Sequence, residues 1–532
     1  MKNIFLLSIL AFALLTGCGD DFLNKENLYE KDLDNYYSNE ADVDEALVGA
    51  YSCLAVDEGR NHPMLIANIQ SDDCFAGGGS TNQVPEDIDK FTNEAGGDSF
   101  LHIYERCYQG IFRINTLLEK FDNVTYTDEK LAKQQKGEAQ FLRAFFYFRL
   151  AHLFGEVPLQ LESGLQYLPK SDAAAIYAQI TTDLKAAIEN LPNDKYTATW
   201  ASTNSGRATK WAAQGLMARV YLFYTGYYKQ AALPLNDGSS VTKAEVVSWL
   251  NSCIDESGHD LLADYSSVWP YSFLNDTWAQ DGHIETVFAV KYTNQGIWST
   301  DGRTAYCNQM CLYIGMRGAE YPPYGQGWGF AQVSPKLKEA MNGDPRLALS
   351  VIDVDTDVSG YEYGIDRNHE ETGLYNKKYN PIVADDGEGN VRGMYYNLYG
   401  GLNANMQLWN MQDDIILRFS DILLMQSELT GDATGIDRVR ARVGLASVGA
   451  GLDVIKKERQ SELAFEGVRY YDLLRWGDAK VALEAANGQP MKNSGVDGTY
   501  NVTFNPDRAF LPLPESQIRL SEGQLTQNPG WE

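Results

Sequence analysis

Several groups of side chains in this 532-residue chain have types and spacings that could act on, or hold, a partner. His369-Glu370 opens like the metal-binding helix of a zinc protease, which needs a second histidine four residues after the first. Gly373 stands there instead, so that ligand is missing. Asp353, Asp355 and Asp357 alternate like the first ligands of a calcium loop. Val358 replaces the turn glycine of such a loop, and Gly364 replaces its closing glutamate. Cys307 and Cys311 would share one face of a helix, but no further pair of zinc ligands lies near them in the chain. No phosphate-cradling loop ends in Gly-Lys-Ser/Thr, and no Gly-x-Ser-x-Gly nucleophile elbow is present. Among 72 acidic residues nothing singles out a facing pair of carboxylates for glycoside cleavage. The residue types therefore assign no catalytic residue, no metal site and no cofactor.

The formal charge is −28 at pH 7, which argues against nucleic acid and against anionic headgroups as partners. Lys2 precedes an apolar run from Ile4 to Leu15. That run is too short for a permanent span and has the pattern of a secretory signal. It ends in Leu15-Thr16-Gly17-Cys18, which resembles the lipobox of bacterial lipoproteins. The resemblance implies cleavage before Cys18, lipidation of its thiol, and anchoring by several acyl chains. Residues 1–17 thus read as a signal peptide, and 18–40 as a lipidated, flexible leader with Asp20 and Asp21 near its start. No second apolar segment is long enough to cross a bilayer. The other six cysteines read as buried free thiols or as disulfides of an exported protein, and the sequence leaves both open.

Helical periodicity dominates the first half. Helices are expected over 42–54, 100–121, 129–154, 172–191, 206–232 and 243–258. The stretch Phe141–Leu150 is apolar on nearly all sides and must be covered on most faces. Small residues at expected crossings (Ala144, Ala187, Ala213) suit stacked helical hairpins of tetratricopeptide type. Residues 71–99, rich in Gly, Asn and Asp, read as a long loop. From 261 to 411 periodicity fades into an irregular, loop-rich insertion with short strands such as 285–292. Helices return over 413–429, 437–443 and 453–485, and residues 487–532 read as an extended end. The fold class expected is mostly α: a helical body over about 41–260 and 412–486, within a single domain 41–532.

Six stretches occur in an order that resembles one family. They are Arg113-Ile114-Asn115; Gly137–Ala144 with Phe154–Leu159; Asp183-Leu184 with Leu191-Pro192; Gly206–Lys210 with Arg219–Leu222; Arg459–Arg469 leading to Asp472–Gly477; and Leu511–Pro514 with Asn528–Trp531. Behind a lipobox, this ordered set resembles the SusD/RagB family of outer-membrane nutrient-binding lipoproteins. The resemblance implies four tetratricopeptide-like helix pairs and a variable ligand face. It also implies a non-enzymatic role: capping a SusC-like TonB-dependent transporter at the cell surface, capturing oligosaccharide and delivering it for import. The alternatives are RagB-like peptide capture, a tetratricopeptide-type interaction scaffold, and a secreted glycoside hydrolase. Arg459, Glu462, Glu466 and Arg469 are spaced to share a helix face as ion pairs, and they read as a structural network rather than a ligand site.

A glycan offers an apolar ring face and a rim of hydroxyls, which flat aromatics and polar side chains recognise. Loops on a rigid scaffold carry such sites. The candidates are Asp73 and Phe75 in the loop Ser71–Gln83, which the family resemblance places on the binding face. In the insertion they are Trp269, Trp278, Trp298, Tyr306, Tyr324 and Trp328. Trp298, in the turn-rich run Asn294–Ser299, is the first choice. Trp328, between Gly327 and Gly329, has a structural reading as well.

Overall fold

The computed structural model describes residues 36–55, 59–92, 97–293, 296–298, 304–385, 387, 389–399 and 405–532. Residues 1–35, on which the expected signal peptide, Cys18 and most of the expected leader fall, lie outside the described residues.

Four helix pairs build the body. They are α1 (Glu40–Tyr51) with α2 (Leu101–Lys120), α3 (Glu129–Phe154) with α4 (Ala173–Asn190), α5 (Lys210–Tyr227) with α6 (Lys243–Glu256), and α7 (Phe419–Thr430) with α8 (Thr434–Arg442). Local chemistry sets their ends. The Asn39 side chain accepts from the α1 backbone and Asp42 reaches back, a capping box. Asp128, Asp172 and Thr209 cap α3, α4 and α5 through their side-chain oxygens, and Thr242 with Glu245 forms a second box at α6. The central helix α3 is apolar on nearly all sides over Phe141–Leu150, and α1, α2, α4 and α5 all pack on α3. Close crossing of α2 and α3 depends on Gly110. A Cβ there would lie 2.3 Å from the Phe146 ring. Arg143 of α3 is partly buried: it forks onto Asp183 of α4 with two 2.8 Å bonds and donates to Asn115 of α2 at 3.1 Å.

Three expectations are corrected. The span 71–99 is not one long loop. It holds β1 (Cys74–Gly77) and a helix, Gln83–Lys90. The strand pairs with β3 (Phe330–Val333), more than 250 residues later in the chain, so local sequence carried no sign of it. The span 413–429 begins with a strand, β4 (Asp414–Arg418), antiparallel to β2 (Thr286–Val290), before α7 starts. The span 453–485 is three helices: α9 (Leu452–Leu463), α10 (Arg469–Trp476) and α11 (Ala479–Glu484). Phe465 and Gly467, both at φ +70°, break the first junction, and Gly477 at φ +80° breaks the second. All six described cysteines are buried, and no disulfide joins them among the described residues.

The break after Leu463 decides what the charged residues do. Arg459, Glu462, Glu466 and Arg469 pair with other elements, not with one another. Arg459 bridges Asp421 (2.6 Å) and Asp472 (2.7 Å), and Arg469 holds Asp72 at 2.7 Å. Glu462 meets Arg346 (3.0 Å), Arg418 (2.5 Å) and Arg442; Glu466 meets Arg418 (2.7 Å) and Lys378 (2.8 Å). Glu285, next to β2, closes the set onto Arg418 (2.8 Å) and Arg442 (2.6 Å). Arg418 and Glu462 are fully buried. Charges removed from water this completely persist only because each has several partners. The network locks α8, α9, β4 and the loop-rich insertion into one junction.

Candidate functional site

The pairing of β1 with β3 builds a cleft on the loop-rich side. The register sets Gly77 opposite Phe330. The next residue, Gly78 at φ +83°, lies against the Phe330 ring, where a Cβ would come within 2.4 Å. Its N–H donates to the Gly329 carbonyl at 2.8 Å. The chain then turns: Asn82 Oδ1 accepts from Gly79 N–H at 2.9 Å, and the Asn82 N–H returns to the Gly79 carbonyl at 2.9 Å. Facing this turn is an aromatic wall. Tyr313, in the short helix Gln309–Ile314, meets Trp328 edge-on at 4.5 Å between centroids and Phe330 at 5.1 Å. Arg317 fixes the Trp328 backbone by donating to its carbonyl (3.0 Å), while its guanidinium pairs with Asp366 at 2.9 Å.

Between wall and turn lies a cleft of about 250 Å³ lined by Thr81, Asn82, Gln83, Val84, Pro85 and the three aromatic rings. Thr81, Asn82 and Gln83 are exposed, and Trp328 is half-buried. Near the turn His369 stands 3.7 Å from Glu86, and its N–H donates to the Gly78 carbonyl. The arrangement offers a flat apolar surface beside hydroxyl and amide groups. It suits stacking and hydrogen bonding to a neutral, hydroxyl-rich ring.

The sequence-derived candidates divide by burial. Trp298, 47 % exposed, lies in the pair Ile297-Trp298, antiparallel to Thr304-Ala305, and Tyr306, 52 % exposed, follows the second strand. The second strand leads directly into the Tyr313 helix. Trp278 is half-buried with its ring edge-on to Tyr395 at 5.9 Å. Tyr324 is buried and its backbone bridges Tyr321 and Ile382. Three further candidates are buried as well, a correction of their expected place on an exposed face. Trp269 is fully buried, with Lys378 4.8 Å and Arg418 5.8 Å from its ring centre, so it covers the charged junction. Phe75 is buried in a 3.8 Å stack on Tyr500. Asp73 is buried, accepts from Gln460 at 2.8 Å, and is pushed up to about 7 by burial and by neighbouring Asp72. Sequence reasoning passed over Tyr313 and Phe330. Both sit in apolar runs that carry no sign of a site.

The other motif-like groups have structural partners. Glu370 pairs with Lys90 at 2.7 Å and accepts from Ala76 N–H. Asp353 pairs with Lys338 at 2.5 Å, and Asp357 accepts from the Asp353 N–H. Among the described residues no group of three or more His, Cys, Asp or Glu side chains is placed to hold a metal, and no helix is long and apolar enough to cross a membrane.

A body of tetratricopeptide-like helix pairs bearing a loop-built aromatic face defines the class of scaffold. Comparison with known proteins narrows it. Residues 21–222 match a family described as SusD-like, starch-binding, associating with the outer membrane. Residues 284–531 match the SusD family itself. The chain belongs to the SusD/RagB family. It is 24 % identical to SusD-like protein P2 of Formosa agariphila over all of both chains. Among solved structures, a laminarin-binding SusD-like protein is 27 % identical, with a TM-score of 0.73 over 93 % of this chain and 100 % of that one. Surface glycan-binding protein A from Bacteroides thetaiotaomicron, solved in complex with laminarihexaose, shares the fold at 21 % identity and a TM-score of 0.72. That match covers 92 % of this chain and 100 % of that one.

Proposed function

We propose that the protein is a lipid-anchored, cell-surface receptor that binds neutral oligosaccharide without cleaving it and passes it to a SusC-like, TonB-dependent transporter. The observation that carries this reading is the cleft in which Trp328, backed by Tyr313 and Phe330, faces the exposed Thr81–Gln83 turn. Trp298 and Tyr306, exposed on the preceding strand pair, extend the aromatic surface available to a longer chain. The 27 % identical relative that binds laminarin supports glycan over peptide.

The transporter part of the proposal has its own support. An open groove of about 580 Å³ runs along α2, lined by Tyr108, Phe112, Leu165, Tyr167 and Leu520. Phe112 is 50 % exposed, Leu165 85 % and Leu520 64 %. Apolar surface of this extent suits coverage by a protein partner.

The test is a panel of polysaccharides, oligosaccharides and peptides titrated into the chain from Gly19 to Glu532. Saturable binding to one glycan class, weakened at least tenfold by Trp328→Ala with the circular-dichroism spectrum unchanged, is the expected result. Binding confined to peptides would replace glycan by peptide as the cargo, and release of shorter sugars would overturn the non-catalytic reading.

A further inference from the structure

A second surface has the same chemical make-up as the cleft and lies on the helical body. The short helix Ala198–Asn204 sits between α4 and α5 and presents Trp200. Thr197 caps this helix by accepting from the Trp200 N–H at 3.0 Å. Trp200 is half-buried, yet it packs neither in the hydrophobic core nor among the apolar residues bordering it. Two concavities flank it. One, of about 120 Å³, contains Gln134, Asp194, Arg207 and Thr209; the other, a shallow one, contains Tyr196, Ser205 and His259. Asn204 and Arg207 line both.

The polar groups around Trp200 are held in place and keep free valences. Arg207 is clamped by Asp44 (2.7 Å) and by fully buried Glu138 (3.2 Å) through its terminal nitrogens, which leaves Nε without an acceptor among the described residues. Tyr51 donates to the same Glu138 at 2.8 Å, and Gln134 Nε2 donates to it at 3.2 Å, so Gln134 Oε1 remains an open acceptor. Asn204 Nδ2 donates to the Trp200 carbonyl (3.0 Å) and to Thr203 (2.9 Å), so Asn204 Oδ1 remains open as well. The set is one flat indole, two amide acceptors and one guanidinium donor, positioned by a buried carboxylate. Because Asp44, Glu138 and Asp194 outnumber Arg207, an anionic ligand is disfavoured. Hydroxyls of a neutral sugar satisfy both acceptors and the donor while the ring covers the indole.

We propose that Trp200, Asn204, Gln134 and Arg207 form a second saccharide-binding site, which takes a single neutral sugar ring at the side of the body. The proposal rests on the glycan reading of the protein given above. The test uses indole ¹H–¹⁵N spectra and calorimetry of the Gly19–Glu532 chain with laminarihexaose and, in parallel, a panel of neutral oligosaccharides. The expected result is a weaker second class of sites that survives Trp328→Ala. In that variant the Trp200 indole peak shifts on titration, Trp200→Ala weakens the remaining binding at least tenfold, and Trp200→Phe retains part of it. Gln134→Ala, which leaves Trp200 in place, weakens the same class severalfold. Loss of all binding in Trp328→Ala, or a Trp200 peak that stays fixed while the wild type binds sugar, overturns the second site and leaves the first intact. A wild type that binds no glycan at all overturns both.

Discussion

The junction around Arg418 and Glu462 and the aromatic face around Trp328 both hold residue types that sequence motifs attract, and they use them oppositely. At the junction four cations (Arg346, Lys378, Arg418, Arg442) meet Glu285, Glu458, Glu462 and Glu466 in the protein interior. Each charge is held by several partners in the interior, where no ring face or polar group is open to solvent. At the face, Trp298, Tyr306 and Trp328 keep accessible ring surface, and the polar groups of Thr81–Gln83 face solvent. The most motif-like stretch, Arg459–Arg469, is scaffold. The stretches least like a motif supply the surface proposed for the ligand.

That contrast breaks most visibly if the junction is dispensable. Arg418→Ala leaves Glu285, Glu462 and Glu466 short of a buried counter-charge, and the expected loss is about 3–5 kcal/mol of unfolding free energy, measured by urea denaturation. Trp269→Ala should cost about as much, ~3–5 kcal/mol, because it empties a core position. Trp298→Ala, at an exposed position, should change stability by less than ~0.5 kcal/mol. A Trp298→Ala protein as unstable as Trp269→Ala would erase the distinction between the regions.

Two buried carboxylates sharpen it with pH. Asp421 lies between Arg219 (2.8 Å) and Arg459 (2.6 Å), and the two guanidinium groups overcome the cost of its burial and hold it down at about 2. Its folded value is below the unfolded one, so its contribution of about 2 kcal/mol is present above pH 4 and is lost as pH falls toward 2. Asp421→Asn should remove that acid-side slope along with the stability. Asp89 behaves oppositely. Burial pushes it up to about 8, and it accepts from Tyr500 at 2.5 Å. The folded protein keeps a proton that the unfolded chain releases near 4, so stability declines as pH rises from about 4 to 8. Asp89→Asn should flatten that decline in thermal melts across the range. The smallest effect belongs to the surface: Lys480→Ala removes an exposed i,i+4 pair with Glu484 and should shift stability by no more than ~0.5 kcal/mol.

The helical body was legible because its signals are local. The limits of α3 follow from Asp128 at one end and Gly155 at the other, and the spacing of apolar residues gave α2, α4 and α6 closely. Elements made by distant pairing were not legible. The four residues of β1 are defined by Phe330–Val333 across the chain, and β4 by Thr286–Val290, so neither could be separated from its surroundings by periodicity. The three helices within 453–485 merged because each break rests on one or two residues at positive φ. The candidate site was half legible. Aromatic residues in a loop-rich region marked Trp298, Tyr306 and Trp328. Composition gave no means of telling them from Trp269, whose place over Lys378 and Arg418 depends on the tertiary junction. Tyr313 joined the site through the β1–β3 pairing, a contact no local pattern encodes.

The most direct measurement is a calorimetric titration of the glycan selected by the panel into Trp328→Ala and, beside it, into Lys480→Ala as an altered but folded control. The account predicts unchanged affinity in the control and at least a tenfold loss in Trp328→Ala, about 1.4 kcal/mol or more, with both variants folded at the titration temperature. Equal affinities in the two variants would contradict the claim that ligand is recognised at the aromatic cleft.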